Sequence, residues 1–293
     1  MKLIDGKAVA AEIKNNLKHE VDAYRLISGR SPHLAAILVG DNPASQAYVG
    51  NKVKSCQEVG FNSTLVRLDA NISEDALLQQ IKLLNEDPDI DGFIVQLPLP
   101  DHIDEVKVTL AIDYKNDVDG FHPYNFGRMA QGLPCFLPAT PYGITLLLER
   151  YNIETAGKHV VVVGRSNIVG TPISILLSRK SKTGDATVTL AHSKTKNLQS
   201  LLLKADIIIA AIGIPNFIKD DMVAQGAIVI DVGINRIENE SFASGSKLVG
   251  DVDFELVKYK ASLITPVPGG VGPMTVVGLM LNTFKAAKKE VYQ

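Results

Sequence analysis

Residues 160–172 constrain the fold more than any other stretch of the chain. Four valines, Val160–Val163, run directly into Gly164, and an apolar helix-like segment follows Gly170. This order is typical of the strand, glycine turn and helix with which an α/β fold presents backbone N–H groups to a pyrophosphate. The turn departs from the G-x-G-x-x-G spacing, because Ser166 holds the second glycine position and Gly170 comes one residue late. We therefore predict a nucleotide-binding α/β unit around this turn.

Composition limits the classes of protein to which the chain can belong. With 293 residues, of which 46% are hydrophobic and 21% charged, it is long enough for about two globular domains. The net charge of −2 gives no basic surplus that would favour nucleic acid. Cys56 and Cys135 are too few for a disulfide framework, which favours a reducing compartment, and no signal peptide or membrane-length apolar run is found. We expect a cytoplasmic protein with neither a nucleic-acid nor a membrane partner.

Two series of strands that alternate with helices are predicted, and this alternation indicates parallel βαβ units. The first series has strands at 34–40, 63–68 and 92–97, a helix that begins at Asn42-Pro43, and a helix over 73–85 capped by Ser73. The second has strands at 158–163, 186–190, 205–211, 227–231 and 262–265. Residues 120–140, rich in Gly, Pro and Asn, are predicted to connect the two series. The last helix, through about Ala287, is expected to pack back on the first series.

Tyr48 and Lys52 lie four residues apart on the helix after Pro43, so both occupy one face. Val49 and Val53 lie on the adjoining, buried face, which places Lys52 at the edge of an apolar surface. Partial burial lowers the pKa of a lysine and makes it usable as a base or proton shuttle. From this spacing alone, a solvated lysine beside a half-buried tyrosine is the competing interpretation.

Two further polar residues follow predicted strands or turns. Gln96 ends the third strand, where the carboxyl ends of parallel strands build sites, although an isolated Gln at this place is more often just a polar residue leaving a strand. Asp119 lies in the run Asp117–Pro123, which is either a plain turn or a turn that aims an aspartate into a pocket. A calcium loop is excluded because the remaining oxygen ligands and the terminal Glu are missing. The histidines do not fall at zinc-ligand spacing, so no metal is predicted.

The strand near residue 190 ends in His192–Thr195, and no acidic residue is present there to bind the ribose hydroxyls of NAD. Ser193, Lys194 and Arg165 offer donors and positive charge, which suit a 2′-phosphate. We therefore predict NADP in preference to NAD. A solvated basic loop is the alternative.

Six segments, in chain order, resemble the bifunctional methylenetetrahydrofolate dehydrogenase/cyclohydrolase family. They are Tyr48–Lys52, Gln96–Pro100, Asp117–Phe121, Gly164–Gly170, His192–Thr195 and Pro266–Pro273. The segments span nearly the whole chain, so a chance match of all six is very improbable. The chain departs from the family pattern at Ala139, where members usually carry Cys, and at Tyr142, where they carry a basic residue.

The resemblance implies two reactions in one-carbon metabolism. 5,10-methylenetetrahydrofolate is oxidised with NADP+ to the 5,10-methenyl cation, which water then opens to 10-formyltetrahydrofolate. Lys52 would be the key catalytic residue, with Tyr48 against the folate ring system. Gln96 would hydrogen-bond and tune Lys52, and Asp119 would hold the pterin. The family also implies a homodimer.

The same resemblance implies the binding residues. The cofactor would contact Gly164, Arg165, Ser166, Gly170, Ser193, Thr140 and Ile234. The substrate would contact Tyr48, Lys52, Leu97, Pro98, Asp119, Pro268, Gly269 and Gly272. Two other functions remain open, namely a dehydrogenase of another small substrate and a nucleotide-binding regulator without catalysis.

The expected fold class is α/β with two domains and a cleft between them. Residues 1–139 together with 274–293 are predicted to form the folate-binding catalytic domain. Residues 140–273 are predicted to form the Rossmann-like NADP-binding domain.

Overall fold

A computed structural model describes residues 1–238 and 245–292, and the chain divides into two compact units. The six-stranded unit comprises Met1–Ala11 and Thr140–Thr275, and the three-stranded unit comprises Glu12–Ala139 and Val276–Gln293. Within the described ranges, none of the helices combines the length and apolar character that a membrane span needs.

The secondary structure follows the predicted alternation. The strands are β1 (Lys2–Leu3), β2 (His33–Val39), β3 (Asn62–Leu68), β4 (Gly92–Val95), β5 (His159–Val163), β6 (Thr187–Ala191), β7 (Ile207–Ala210), β8 (Ile228–Asp231), β9 (Asn235–Glu238), β10 (Ser246–Val249) and β11 (Leu263–Ile264). The helices are α1 (Gly6–Ser28), α2 (Pro43–Val59), α3 (Glu74–Glu86), α4 (Glu105–Ala111), α5 (Pro123–Ala130), α6 (Ala139–Arg150), α7 (Gly170–Ser178), α8 (Leu198–Leu202), α9 (Phe254–Val257) and α10 (Val271–Ala287), with a 3₁₀ turn at Asp220–Met222. All eight predicted strands are confirmed, each with ends within two residues of the expected ones.

The six-stranded sheet has the order β1-β11-β8-β7-β5-β6, and all its strands are parallel. β5 pairs with β6 on one side and with β7 on the other, so the direction of winding reverses at β5. The carboxyl end of such a strand is the switch point where open α/β sheets bind ligands. The glycine turn that begins at Gly164 follows this end directly.

The first residues of the chain join the six-stranded unit, whereas the sequence led us to expect them with residues 12–139. The backbone N–H of Lys2 donates to the Ser262 carbonyl at 2.9 Å, and that of Ile4 donates to the Ile264 carbonyl at 2.8 Å. β1 therefore pairs with β11 and forms the edge strand of the sheet. A strand of two residues is too short for its pairing partner to be predicted from the sequence.

The three-stranded sheet has the parallel order β3-β2-β4. α10 buries Leu279, Met280 and Phe284 in the same core cluster as Leu17 and Leu34, so the expected return of the last helix is confirmed. This helix begins at Val271, before Pro273, because a proline in the first turn removes no helical hydrogen bond.

Residues 120–140 are not a mere connection, and this prediction was wrong. They include α5, whose side-chain cap is the Nδ1 atom of His122, which accepts from the Tyr124 N–H at 3.1 Å. Asn125 and Met129 are fully buried. The His122-Pro123 pair is a cap followed by proline at the first helical position, a signal that the nearby glycines and prolines obscured.

Two buried aspartates organise the loops after β7 and β8. The carboxylate of Asp231 accepts from the backbone N–H groups of Gly233, Asp251 and Val252 at 2.9–3.0 Å. The Oδ2 atom of Asp251 in turn accepts from the N–H of Ile212 at 2.7 Å. These bonds satisfy donors that the strand ends would otherwise leave unpaired in the interior.

We predict that Asp231→Asn lowers the free energy of unfolding by about 1–3 kcal/mol, because an amide NH₂ would face a backbone N–H that now has a carboxylate oxygen. Urea unfolding of the two proteins measures the difference. Asp221→Asn is the matched control, since Asp221 is exposed and its change should stay within about 0.5 kcal/mol. Equal stability of wild type and Asp231→Asn would contradict the role of this carboxylate.

Candidate active site

Lys52 lies at the centre of a group of polar residues in the three-stranded unit. Its side chain is on α2, with only 4% of the residue exposed, and its Nζ donates to the Oε1 of Gln96 at 3.2 Å. The ring centroid of Tyr48, one helical turn earlier, is 4.7 Å from the same Nζ. Val49 is fully buried and Val53 is half-buried, as the helical spacing predicted. Lys52 is thus more deeply buried than the sequence indicated.

The start of α2 and the end of β4 fix this geometry. The Oδ1 of Asn42 caps α2 by accepting from the Ala44 and Ser45 N–H groups at 2.9 and 3.2 Å. Gln96 continues the β4 ladder, since its backbone N–H donates to the Ile37 carbonyl at 2.9 Å. Its Nε2 donates to the Leu97 carbonyl at 2.6 Å, which leaves Oε1 as the atom that faces Lys52.

Electrostatics within this group favour a lysine that loses its proton easily. Burial lowers the pKa of Lys52 below its usual value, and the negative charge of Asp119 partly offsets this by raising it. Conversely, burial raises the pKa of Asp119, while the charge of Lys52 lowers it. The two groups therefore influence each other's protonation, and the neutral form of Lys52 becomes accessible to proton-transfer chemistry.

Asp119 lies in a turn that its neighbours hold rigidly. The carboxylate of Asp117 accepts from the Phe121 and His122 N–H groups at 3.1 and 2.8 Å. Gly120 has φ +75°, a backbone conformation that favours glycine. Asp119 is half-buried in this turn, and it is one of the residues, with Leu97, that line a small cavity.

The glycine turn after β5 fits a close backbone approach. At Gly164, with φ +117°, an added Cβ would lie 2.0 Å from the Ala211 carbonyl oxygen, and at Gly170 it would lie 1.9 Å from the Gly164 oxygen. Ser166 stabilises the turn before α7, because its Oγ accepts from the Val169 N–H at 3.2 Å and the Gly170 N–H at 3.4 Å. Only glycine fits at both positions without displacing the turn.

The loop after β6 supplies donors and positive charge. Ser193 and Lys194 are exposed, as is Arg165 in the glycine turn. The Oγ1 of Thr195 accepts from the His192 N–H at 2.8 Å and closes the loop. This set of donors fits a phosphate-bearing nucleotide, and no acidic residue lies within His192–Thr195.

The remaining expected site residues of the six-stranded unit lie close to other residues of the same unit. The hydroxyl groups of Thr140 and Thr275 lie 2.9 Å apart. Ile234 is exposed, and its Cδ1 would lie 3.4 Å from a Cβ added at Gly272. The Gly269 carbonyl accepts from the Lys7 N–H at 2.9 Å.

Two expected substrate contacts are exposed prolines. Pro268 lies in the six-stranded unit, and Pro98, which follows Leu97, lies in the three-stranded unit. The structure therefore collects Tyr48, Lys52, Gln96, Leu97, Pro98 and Asp119 in one unit, and the glycine turn, Arg165, Ser193, Thr140, Ile234, Pro268, Gly269 and Gly272 in the other.

Asp251 is a residue that the sequence analysis missed. It is fully buried, and its carboxylate accepts from the N–H groups of Ile212 and Gly213 in the loop after β7, and from the Asn235 amide. This loop packs against the glycine turn, since the Ala211 oxygen limits the space at Gly164. The available signal was a pair of acidic residues near glycines, because Asp251 directly follows Gly250 and Asp231 lies two residues before Gly233.

Comparison with known proteins identifies the family. Residues 4–119 match the tetrahydrofolate dehydrogenase/cyclohydrolase catalytic domain, and residues 138–291 match the NAD(P)-binding domain of the same family. The chain belongs to the tetrahydrofolate dehydrogenase/cyclohydrolase family. The resemblance that the sequence motifs indicated is thereby confirmed.

Members of this family are similar to the chain over its whole length. The bifunctional protein FolD of Flavobacterium johnsoniae is 62% identical, with 98% of each chain covered. The crystal structure of the bifunctional FolD enzyme of Campylobacter jejuni is 49% identical, with a TM-score of 0.92 and 99% of each chain covered. The Trypanosoma brucei methylenetetrahydrofolate dehydrogenase-cyclohydrolase, complexed with NADP and an inhibitor, is 38% identical, with a TM-score of 0.94 and coverage of 99% and 98%. The two-domain α/β fold class is confirmed.

Proposed function

We propose that the chain oxidises 5,10-methylenetetrahydrofolate with NADP+ and hydrolyses the methenyl product to 10-formyltetrahydrofolate. Membership of the tetrahydrofolate dehydrogenase/cyclohydrolase family supports both activities in folate one-carbon metabolism. The observation that carries the proposal is the buried amine of Lys52, held by Gln96 and flanked by Tyr48. Such an amine is suited to move protons during hydrolysis, for which a dehydrogenase of another small substrate, or a non-catalytic regulator, would have no need.

NADP fits the residues present. Glycines 164 and 170 let the turn after β5 pack closely against its own backbone, and Arg165, Ser166 and Ser193 in and after this turn provide donors for the phosphate groups of NADP. We assign Thr140 and Ile234 to the same binding set. When bound, NADP+ accepts a hydride from the methylene carbon of the folate.

Asp119 is the proposed anchor of the pterin. A half-buried carboxylate can accept from an amino group and a ring N–H of the same ligand, which is a charge-assisted contact. We assign Tyr48 to offer a ring face to the folate ring system, and we assign Leu97 and Pro98 as further substrate contacts. We assign Pro268, Gly269 and Gly272 as further substrate contacts.

Lys52 assists the hydrolytic step. The oxygen of water bonds to the methenyl carbon, and the bond from that carbon to one ring nitrogen breaks with its electron pair left on that nitrogen. Of the two protons that the water loses, one goes to this nitrogen and the other is released to solvent. A neutral Lys52 takes a proton from the attacking water and passes it on, and Gln96 positions its Nζ.

We further propose a homodimer in the cytoplasm. The family resemblance supports the homodimer, and both cysteines are buried and outside any disulfide, which suits a reducing compartment. Sedimentation of the purified protein measures the oligomeric state.

The direct test follows the purified protein spectroscopically with 5,10-methylenetetrahydrofolate and either NADP+ or NAD+, with acid quenching to separate methenyl from formyl product. We expect cofactor reduction with NADP+ and a formyl product. A stalled methenyl product would restrict the protein to the dehydrogenase reaction. Failure to reduce either nucleotide would refute the proposed function.

Lys52→Met should abolish hydrolysis and retain at least part of the hydride transfer, because methionine fills the site but has no group that can take up or release a proton. The two rates are measured separately, by release of formyl product and by NADPH absorbance. Lys54→Met is the matched control, since Lys54 is exposed on the same helix.

In the wild type, the rate of hydrolysis should rise with pH and level off below pH 10.5, because burial lowers the pKa of Lys52 from that value. A Lys52→Met enzyme with the full hydrolysis rate would show that this lysine is not the base.

Asp119→Ala should raise the KM for the folate substrate about tenfold or more and leave the KM for NADP+ nearly unchanged, because a charge-assisted contact is lost only on the folate side. Initial rates with each substrate varied in turn measure both constants. Asp22→Ala, which removes only a surface ion pair with Arg25, should change neither. Equal losses for both substrates would instead indicate a structural role for Asp119.

Arg165→Ala should raise the KM for NADP+ about tenfold and leave the KM for NAD+ within about twofold, because only NADP+ carries the 2′-phosphate. Steady-state rates with the two nucleotides measure this ratio. Lys180→Ala serves as the control, since Lys180 is an exposed cation in the same unit. A parallel rise for both nucleotides would contradict an assignment of Arg165 to the 2′-phosphate.

A further inference from the structure

Asn282 on α10 has an unusual set of hydrogen bonds. It is fully buried, and its Nδ2 donates both hydrogens, one to the Val118 carbonyl and one to the Leu137 carbonyl, each at 2.8 Å. Its Oδ1 is the one buried side-chain polar atom without a hydrogen-bond partner among the described residues. An unpaired buried acceptor is costly, so the two carbonyls, and not the amide oxygen, dictate how this side chain is oriented.

The two carbonyls belong to the segments that hold Asp119. Val118 directly precedes Asp119, and the Asp119 carbonyl accepts from the Ala139 N–H at 3.2 Å. At Gly120 an added Cβ would lie 2.5 Å from the Leu137 carbonyl carbon, so the two segments are in close contact. The Asn282 amide therefore joins the turn that carries Asp119 to the Leu137–Ala139 segment that packs against it.

We propose that Asn282 is a positioning residue for Asp119, and that its two donors set where the carboxylate meets the folate substrate. The inference rests on the proposed role of Asp119 in folate binding. Loss of the amide leaves two carbonyls without donors and frees the turn to shift, and small displacements of a binding group weaken a contact strongly. The hydrogen bond between Lys52 and Gln96 does not involve Asn282 and remains.

The neighbouring residue provides a contrast within the same helix. Thr283 is also fully buried and polar, but its Oγ1 donates to the Leu279 carbonyl of its own helix at 2.9 Å. The bonds of Asn282, in contrast, reach residues 164 and 145 positions away in the chain. Thr283→Val therefore removes a buried polar group of the same helix without touching the Asp119 turn.

The experiment compares Asn282→Leu, Asn282→Ser, Thr283→Val and Asp119→Ala in the full-length protein. Asn282→Leu has nearly the same shape as wild type but no donors, whereas Asn282→Ser keeps one hydroxyl donor and adds no bulk. We expect the KM for 5,10-methylenetetrahydrofolate to rise about tenfold in Asn282→Leu and less in Asn282→Ser, with the KM for NADP+ within about twofold in both. Thr283→Val should leave both constants unchanged.

Any other pattern of KM values would overturn the inference or the role of Asp119 on which it rests. An unchanged folate KM in the Asn282 variants, beside a raised one in Asp119→Ala, would overturn the inference and leave the role of Asp119 intact. An unchanged folate KM in Asp119→Ala would refute the role of Asp119 itself. Equal rises of both KM values in the Asn282 variants, or failure of both variants to fold, would assign Asn282 to general stability and overturn the inference.

Discussion

The burial of Lys52 against the amide of Gln96 is the interaction on which the candidate active site depends. A buried amine loses most of its hydration, so its charged form is disfavoured unless nearby groups compensate. The charge of Asp119 compensates only in part, which leaves a lysine whose pKa is below its usual value. This balance requires the packing of α2, because Val49 and Cys56 on the same helix belong to the fully buried core.

Both units use the same property of parallel sheets, which is that strands end together at one edge and place the residues that follow them side by side. In the six-stranded unit the edge carries the glycine turn after β5 and the loops that Asp231 and Asp251 hold. In the three-stranded unit, the edge carries Gln96 after β4. The sheets thus fix the places where the loops begin, and the residues of those loops supply the hydrogen-bond donors, the carboxylates and the amide of Gln96 that faces Lys52.

Much of the fold could be predicted from local signals, and the errors have physical causes. The buried strands were predictable because runs such as Val160–Val163 are apolar throughout, as strands covered on both faces must be. α5 was overlooked because its cap and proline lie among glycines and prolines that also indicate loops. The membership of Met1–Ala11 in the six-stranded unit was not predictable, since two residues of β1 carry no periodicity.

The sequence by itself determined the α/β class, the glycine turn after β5 and the face shared by Tyr48 and Lys52, because each depends on residues within a few positions of one another. Only the tertiary structure decided that Gln96 meets Lys52, how deeply Lys52 is buried, and that Asn282 joins the Asp119 turn to the Leu137 segment. These contacts connect residues far apart in the chain, and their geometry is set by the packing of whole helices and strands, which local sequence patterns do not encode.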